Sequence, residues 1–562
     1  MSFPFGRKRT SDDRRKTMFG GANFVKSDEL KKMGVFHKSS AGLYCGLLDG
    51  KPLFYNGDGG AVLIGGARSG KLTTILAQNL CAGIASKASA IILDLKGELS
   101  SVSQNQTSDR KHCRYWNPNG LNGMPQDRFN PVDYLTWSSP TLFADLKVFA
   151  ENQIPKSGSA NGEYFELRAR EYLEAICLTL VKINGVLTLP DLYEAINLIP
   201  LNNTAWKEFA REMRFTGITV CLRVEEEIHA SRSDTSGGFN GILGELFKSV
   251  SCLSDPVLLD SVSEPYDFSL GDLCTKKDQA THLYMICGVE TIQPWAPVIK
   301  ASFTGVMIHK SRRPEAPTIN LILDECGQLT NYDLVPRLFS YGAGIGCRPL
   351  AVFQTASQME NLGKMARDII LSSAGLQMYF SVRDLPSAEM LSKMLGTATM
   401  DYDDPVQQGR AAVETHQLLK ALLAGGDPFQ MIQNLQQKRY ESRHLSLQRR
   451  FLRNPDEVLT TPQDRMYVFM DGLTGPIYAE RQPYWQQRFM AGRYHPNPYH
   501  PPETHVHVQT RWGQRTRKVI TRNVPDEFAD YPQYRMGQYS FIEGYQQCPS
   551  WFKRLWKHLK AS

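Results

Sequence analysis

The sequence predicts an α/β fold in which a mainly parallel β-sheet is interrupted by an all-α domain. Two fully apolar runs, at 61–64 and 90–93, enclose a helical stretch with the spacing of a βαβ unit. Between 141 and 259 the apolar residues instead recur at helical spacing, and strand-like alternation is missing. Strand-like runs then return at 282–287, 319–323, 348–353 and 376–382.

Composition excludes several other classes of protein. The 562 residues exceed what one core usually holds, and 42% hydrophobic with 22% charged residues is ordinary for a globular protein. No apolar run reaches the roughly 18 residues of a membrane span, and the basic N-terminus lacks a signal-peptide core. The 11 cysteines form no C-x-x-C pair, which favours reduced thiols in the cytoplasm.

The first predicted strands lead into a glycine-rich turn. Residues 43–55 have the pattern of a β-hairpin turned at Asp49-Gly50, and the apolar strand 61–64 follows. The turn after that strand has the pattern G-x-x-x-x-G-K, and a helical stretch comes next. Strand, glycine-rich turn and helix in this order are typical of a phosphate-binding loop.

The glycines and the lysine of this turn suit an anion. Gly65 and Gly70 let the backbone curl so that successive N–H groups point inward, and the new helix adds its positive end. Lys71 supplies a mobile charge for the terminal phosphates of a nucleotide. The predicted phosphate-binding residues are Gly65, Gly66, Ala67, Arg68, Ser69, Gly70, Lys71, Leu72 and Thr73.

One position of the turn departs from the usual pattern. A Ser or Thr normally follows the lysine and places a hydroxyl on Mg²⁺, but Leu72 stands there. Thr73 is the alternative metal ligand, although one residue along a helix turns a side chain by roughly 100°. A glycine-rich turn that binds nothing is the competing interpretation.

Acidic residues end two of the predicted strands. Asp94 ends the strand 90–93, where it either faces a ligand or caps the next helix. Asp324 and Glu325 end the strand 319–323. In a nucleoside triphosphatase, Asp324 would hold Mg²⁺ through its water shell and Glu325 would orient and deprotonate the attacking water. The alternative is that Asp324 caps a following helix.

The remaining segments have less specific patterns. Gln354 ends the strand 348–353, where it either senses a γ-phosphate or simply closes the strand. Residues 401–445 predict a polar surface excursion, and a last hairpin turns at Asp471-Gly472. Beyond 495 we expect an extended tail without periodicity. It ends in a basic amphipathic helix, 551–560, which suits either an anionic membrane surface or docking on protein.

These motifs, in this order, resemble the type IV secretion coupling proteins, the ATPases of conjugative DNA transfer. The resemblance runs from about residue 20 to 498 and includes a departure at Leu95, where proline is usual. The family's members vary at the position of Leu72. The matching pieces are 65–71, 94–98, 129–131, 323–325, Gln354 with Gln358, and 387–392 with Leu395-Gly396.

The resemblance implies a RecA-like P-loop domain interrupted by an all-α domain, with ATP and Mg²⁺ at the interfaces of a six-subunit ring. It implies an arginine that reaches into the neighbouring site, for which Arg348 and Arg383 are candidates. The domains we expect are a mobile basic segment at 1–42, a first RecA-like part at 43–135, the all-α insertion at 136–265, a second RecA-like part at 266–494 and the tail at 495–562.

The resemblance also implies partners. These are single- or double-stranded DNA bound without sequence preference, a relaxase or effector proteins, and subunits of the secretion channel. Family members usually begin with two membrane-anchoring helices that this sequence lacks, so we expect a cytoplasmic protein peripheral to the inner membrane. Three alternatives stay open: a DNA-segregation or packaging motor, a nucleotide-gated substrate receptor with little ATP turnover, and a translocase of proteins only.

Overall fold

The computed structural model describes residues from 21 to 543, and its contacts divide the chain into two units. The smaller unit comprises 1–26, 381–462 and 473–478, and the larger comprises 27–380, 463–472 and 479–562. Within 21–543 the description omits residues 82, 105–110, 157–159, 202, 232–237, 276–279, 403–445, 491–492, 496, 500–503, 511–512, 525 and 527–536.

The described residues contain the following strands and helices. The strands are β1 Leu43–Leu48, β2 Lys51–Tyr55, β3 Ala61–Gly65, β4 Ala90–Leu95, β5 His112–Trp116, β6 Thr281–Cys287, β7 Ile319–Leu323, β8 Cys347–Phe353, β9 Leu376–Phe380, β10 Thr397–Tyr402, β11 Ser446–Phe451, β12 Arg465–Met470, β13 Ile477–Glu480, β14 His505–Thr510, β15 Gly513–Asn523 and β16 Gln538–Ile542. The α-helices are α1 Ser27–Lys32, α2 Ala77–Leu80, α3 Glu98–Ser103, α4 Leu142–Gln153, α5 Ala160–Asn184, α6 Leu189–Leu201, α7 Thr204–Phe215, α8 Thr219–Ser231, α9 Gly238–Val250, α10 Pro256–Ser261, α11 Ala296–Ser311, α12 Leu334–Ile345, α13 Ala366–Ser373, α14 Leu385–Leu395 and α15 Pro455–Leu459.

The larger unit is built on an eleven-stranded sheet in the order β2-β1-β13-β12-β9-β3-β8-β7-β4-β6-β5. From β9 to β5 every neighbouring pair is parallel, and Leu63 of β3 lies between Val352 of β8 and Met378 of β9. Every residue of β3, β4, β6, β7 and β8 is buried, which explains why these strands are continuous apolar runs. The mainly parallel sheet predicted from the sequence is confirmed.

The insertion between β5 and β6 is helical. The helices α4 to α10 follow one another without a strand, and their core includes the fully buried Tyr172, Ile176, Val224 and Leu246. Capping explains two of the starts: the side chain of Asn203 accepts from the Trp206 N–H at α7, and Asp255 accepts from the Val257 N–H at α10.

The smaller unit contains the antiparallel pair β10–β11 and two short helices. Asp384 caps α14, and Asn454 with Glu457 forms a capping box at α15. The guanidinium of Arg453 lies over the rings of Phe24 and Tyr478. The predicted surface excursion falls mainly on 403–445, which lies outside the described residues, as do residues 1–20 of the basic N-terminal segment.

The prediction of an extended tail beyond 495 is wrong. Strands β14, β15 and β16 form an antiparallel sheet in which Thr510 pairs with Gly513, so a two-residue connection joins the first two strands. Val519 of this sheet packs against a hydrophobic cluster of the larger unit. The amphipathic segment 551–560 lies outside the described residues. No helix among those that are described is long and apolar enough to cross a membrane.

Candidate nucleotide-binding site

The two glycines of the G-x-x-x-x-G-K pattern, Gly65 and Gly70, lie where a side chain would be unfavourable. A Cβ on Gly65 would lie 2.9 Å from the ring of Phe380 and 3.0 Å from the Ser69 hydroxyl. Gly70 has φ +81°, in the left-handed region that glycine adopts without strain, and Arg68 shares that region at φ +55°. These backbone angles curl the loop into the shape that a phosphate-binding turn requires.

Lys71 lies at the centre of the site. Its side chain is 9% exposed, and its ammonium Nζ donates to the carbonyl oxygen of Gly65 at 3.0 Å. The same ammonium lies 3.4 Å from Oε1 of Glu325, which follows β7. The phosphate-binding loop and the acidic pair, far apart in sequence, therefore meet at the carboxyl edge of the sheet.

Gln354 completes this cluster from the end of β8. Its Nε2 donates to the other carboxylate oxygen of Glu325, Oε2, at 2.9 Å, and its backbone N–H donates to Gln358 Oε1 at 2.8 Å. Glu325 itself has φ +54°, a left-handed conformation that is uncommon outside glycine and is often found at functional sites. The side chains of Lys71, Glu325 and Gln354, which follow the adjacent strands β3, β7 and β8, therefore meet at the carboxyl edge of the sheet.

The two aspartates near the site differ in their surroundings. Removal from water and the neighbouring Glu325 carboxylate raise the pKa of Asp324 to about 7, while Lys71 opposes the shift. Asp94 is buried, and its carboxylate accepts from the N–H groups of Leu99 at 3.2 Å and Ser100 at 2.6 Å. Asp94 therefore caps α3, which decides between the two interpretations of this residue.

The first helical turn after Lys71 is a π-helical turn, Leu72–Leu76. Leu72 is partly buried and packs against a hydrophobic cluster that includes Ala77, Cys81 and Tyr484. The Thr73 hydroxyl donates to the Gly70 carbonyl at 3.2 Å, and its role as a metal ligand stays a prediction.

In the part of the chain that the structure describes, no three His, Cys, Asp or Glu side chains form a metal cluster. Mg²⁺ commonly needs only one or two carboxylates, together with water and phosphate oxygens.

The loop residues fit a phosphate. The Ser69 hydroxyl is buried and has no hydrogen-bond partner among the described residues. The Lys71 ammonium is satisfied only by loop carbonyls and one carboxylate, which an anion can displace. A buried hydroxyl and a mobile cation on a curled glycine-rich backbone are the donors that bind phosphate oxygens.

The two candidate arginines lie in different surroundings. Arg348 is 1% exposed at the amino end of β8, where its guanidinium donates to Asn320 Oδ1 at 3.0 Å and to the Gly57 carbonyl at 3.3 Å. This buried position does not bring Arg348 to the cluster around Lys71, nor to a surface that a neighbouring subunit could meet. Arg383 belongs to the smaller unit and is exposed.

Sequence reasoning missed one arginine of the site. Arg481, which follows β13, donates from Nη1 to the carbonyl oxygen of Ser69 in the phosphate-binding loop. The two residues are 412 positions apart, and no local motif surrounds Arg481. Its position directly after a strand was the only available signal.

Comparison with known proteins agrees with this arrangement. A family model described as "Type IV secretory system Conjugative DNA transfer" matches residues 14–506. The chain is similar to the solved structure of the unbound bacterial conjugative coupling protein TrwBdeltaN70, with 17% identity and a TM-score of 0.55 over 83% of this chain and 95% of that one. It is equally similar to plasmid coupling protein TrwB in complex with ADP and Mg²⁺, with 16% identity and a TM-score of 0.55 over 83% and 96%. No curated protein matches the sequence. At these identities the structural likeness establishes the RecA-like fold.

Proposed function

Because the chain belongs to the type IV secretory system conjugative DNA transfer family, we propose that it is an ATP-hydrolysing coupling protein. It recruits a relaxase–DNA complex, effector proteins or both to the secretion channel and drives their transfer. The observation that carries the proposal is the convergence on Glu325 of Lys71, at 3.4 Å, and Gln354, at 2.9 Å, from adjacent parallel strands.

The loop Gly65–Thr73 binds the triphosphate in this proposal. Its N–H groups and the Lys71 ammonium contact phosphate oxygens, while Asp324 holds Mg²⁺ through water and Thr73 offers a second oxygen. Mg²⁺ neutralises the charge that develops on the transferred phosphoryl group. The solved complex of the similar protein TrwB with ADP and Mg²⁺ supports this choice of ligands.

Glu325 acts as the general base. Its Oε2 is held by the Gln354 side chain, so Oε1 is the oxygen available to orient water and accept its proton. That oxygen is 3.4 Å from the Lys71 ammonium when no phosphate competes for the lysine. A bound phosphate draws Lys71 away and frees Oε1, and Gln354 then reports loss of the γ-phosphate through its bond to Glu325.

Assembly of six subunits completes the proposed motor. An arginine from a neighbouring subunit contacts the developing charge, and the exposed Arg383 is the better of the two candidates. Hydrolysis around the ring moves channel loops that grip the phosphate backbone of single- or double-stranded DNA without sequence preference. The ring works at the cytoplasmic face of the inner membrane beside the channel subunits.

The test is steady-state ATP hydrolysis by the purified full chain, with and without single- and double-stranded DNA. Replacing the base, as Glu325→Gln, should lower turnover by about 100-fold or more and leave nucleotide binding intact. A Glu325→Gln protein that hydrolyses ATP as fast as the parent contradicts the proposal.

Leu72, in place of the usual hydroxyl residue, favours a second candidate: a nucleotide-gated substrate receptor with little turnover. Tight ATP binding by the parent, with slow hydrolysis that no DNA accelerates, would select the receptor. DNA binding measured at several salt concentrations distinguishes a translocase of proteins only, because phosphate contacts weaken steeply with salt.

A further inference from the structure

Arg481 reaches the phosphate-binding loop from the far end of the chain. Its side chain donates from Nη1 to the Ser69 carbonyl oxygen, and the residue is 4% exposed. Its backbone N–H donates to the Asp464 carbonyl at 2.8 Å, which fixes the point from which the side chain extends. The guanidinium therefore contacts the loop from a rigid position in the sheet.

Phe380, the last residue of β9, holds the guanidinium in place. The central carbon of the Arg481 guanidinium lies 4.2 Å from the centroid of the Phe380 ring, a cation–π contact. The same ring packs against Gly65, where an added Cβ would lie 2.9 Å from it. Phe380 thus contacts both the first glycine of the loop and the arginine that bonds to the loop's fifth residue.

The bond to Ser69 determines the direction of the next amide. In a planar trans peptide, the C=O of one residue and the N–H of the next point in opposite directions. Because Arg481 binds the Ser69 oxygen, the Gly70 N–H must point away from the Arg481 guanidinium. Gly70 has φ +81° and no side chain to restrict it, so this peptide needs an external partner to keep one orientation.

We infer that Arg481 is a positioning residue for nucleotide phosphate, which orients the Ser69–Gly70 peptide so that the Gly70 N–H can bind a phosphate oxygen. Phe380 maintains the guanidinium in the geometry that this requires. The inference rests on the proposed nucleotide binding by Gly65–Thr73. Because Arg481 acts through the backbone of the loop, it affects ADP and ATP alike and does not select the base.

The test is a titration of the full chain with a fluorescent ADP and a fluorescent ATP. Three variants separate the properties of the arginine: Arg481→Lys keeps the charge, Arg481→Gln keeps a neutral donor, and Arg481→Met keeps neither. Loss of one charge-assisted hydrogen bond should raise the Kd of Arg481→Met by about tenfold or more for both nucleotides. The other two variants should lie between Arg481→Met and the parent.

A double-mutant cycle tests the role of Phe380. Phe380→Leu alone should also raise the Kd for ADP, since the guanidinium loses its stacking surface. When Phe380→Leu is combined with Arg481→Met, the increase should be smaller than the product of the two single effects, because the residues act as one unit. In turnover, KM for ATP should rise with little change in kcat, as expected for an interaction made with substrate and transition state alike.

Arg465→Gln is the matched control. This arginine lies on β12 and forms an ion pair with Glu480 at 3.4 Å. It should bind ADP as the parent does. A purely structural role is recognised by a lower melting temperature in Arg481→Met with unchanged Kd, and that result overturns the inference. So does equal weakening of ADP binding by Arg465→Gln. If the parent itself binds no nucleotide, the proposed function fails first.

Discussion

The central strands β7 and β8 carry a polar cluster at each of their two ends, and the clusters differ in kind. At the carboxyl end, Glu325 and Gln354 meet Lys71 of the phosphate-binding loop. At the amino end, Arg348 of β8 donates to Asn320 of β7. Asn320 in turn donates from its side chain to the Ser86 hydroxyl at 3.1 Å.

The amino-end cluster is a structural network. Arg348 is 1% exposed and Asn320 is 4% exposed, and burial lowers the pKa of Arg348 to about 10. Its partners are fixed protein groups that no ligand can replace without unfolding the segment. A buried charge of this kind maintains the packing of neighbouring strands, and removing it leaves its partners unsatisfied.

The carboxyl-end cluster has hydrogen-bond donors that could bind an anion. The Ser69 hydroxyl has no partner among the described residues, and the Lys71 ammonium is held by carbonyls that an anion can outcompete. Burial and the neighbouring Glu325 carboxylate raise the pKa of Asp324 to about 7, and a divalent cation would stabilise the charged form of this carboxylate. The Arg348 Nη2 atom at the amino end also lacks a partner among the described residues, so the two clusters are distinguished by their surroundings: a curled glycine-rich loop and an acidic pair at the carboxyl end, and buried strand residues at the amino end.

The largest expected effects come from replacing Lys71 at the carboxyl end and, in a separate variant, Arg348 at the amino end. Lys71→Ala should weaken ADP binding by roughly 100-fold, since it removes charge-assisted bonds to phosphate, with little change in the free energy of unfolding. Arg348→Met should do the reverse: unchanged ADP affinity and a loss of about 1–3 kcal/mol of stability. Titration with a fluorescent ADP and urea unfolding of both variants measure the two quantities.

A result in which Arg348→Met, still folded, loses nucleotide affinity as Lys71→Ala does would break the comparison. The amino-end cluster would then belong to the site. The two variants serve as controls for each other, because each residue is buried and each removes one positive charge.

A second pair of variants compares two glycines. Gly65→Ala should distort the loop, because the new Cβ would lie 2.9 Å from the Phe380 ring, and ADP affinity should fall about tenfold. Gly344→Ala on α12 meets nothing within 4 Å and should stabilise the protein by about 0.5–1 kcal/mol through higher helix propensity. Thermal unfolding and ADP titration check both. Equal ADP affinity in the two variants would show that the loop has room for a side chain.

The smallest expected effect concerns pH and a third buried cation, Lys300 of α11. Its ammonium donates to the Thr330 carbonyl at 2.7 Å, and burial lowers its pKa to about 8. The pKa of an unfolded lysine is near 10.4, so between pH 8 and pH 10.4 the unfolded chain binds more protons than the folded protein. The free energy of unfolding therefore rises with pH across this interval, and below pH 8 the folded protein bears the full cost of the buried charge.

Urea unfolding at pH 7 and pH 9 measures this contribution. The parent should gain about 1 kcal/mol relative to Lys300→Met over that interval. Parallel changes in the two proteins would show that Lys300 titrates normally. Unlike Arg348, Lys300 can lose its proton within the pH range of this experiment. It therefore extends the comparison to a buried cation whose charge depends on pH.

Most of the fold was predictable because its strands are wholly buried and therefore stand out as apolar runs. The loop Gly65–Lys71 and the pair Asp324-Glu325 were predictable because each is a local pattern attached to such a strand. Their proximity, with Gln354 between them, follows from adjacent parallel strands ending at one edge.

The parts that escaped prediction depend on distant pairing or on strand direction. The bond between Arg481 and Ser69 joins residues from opposite ends of the chain, and nothing local encodes it. Arg348 was recognised as lying near a strand end, but whether that end is the amino or the carboxyl one decides its role. The sheet β14–β16 was missed because its strands lack long apolar runs: β15, of 11 residues, has only Val519 and Ile520 as apolar side chains.

The position of Arg481 in the chain also bears on biosynthesis. A ribosome makes Gly65–Lys71 before Phe380 and Arg481, which lie far along the sequence. A nascent polypeptide that stops before Phe380 therefore carries the loop without the two side chains that contact Gly65 and Ser69.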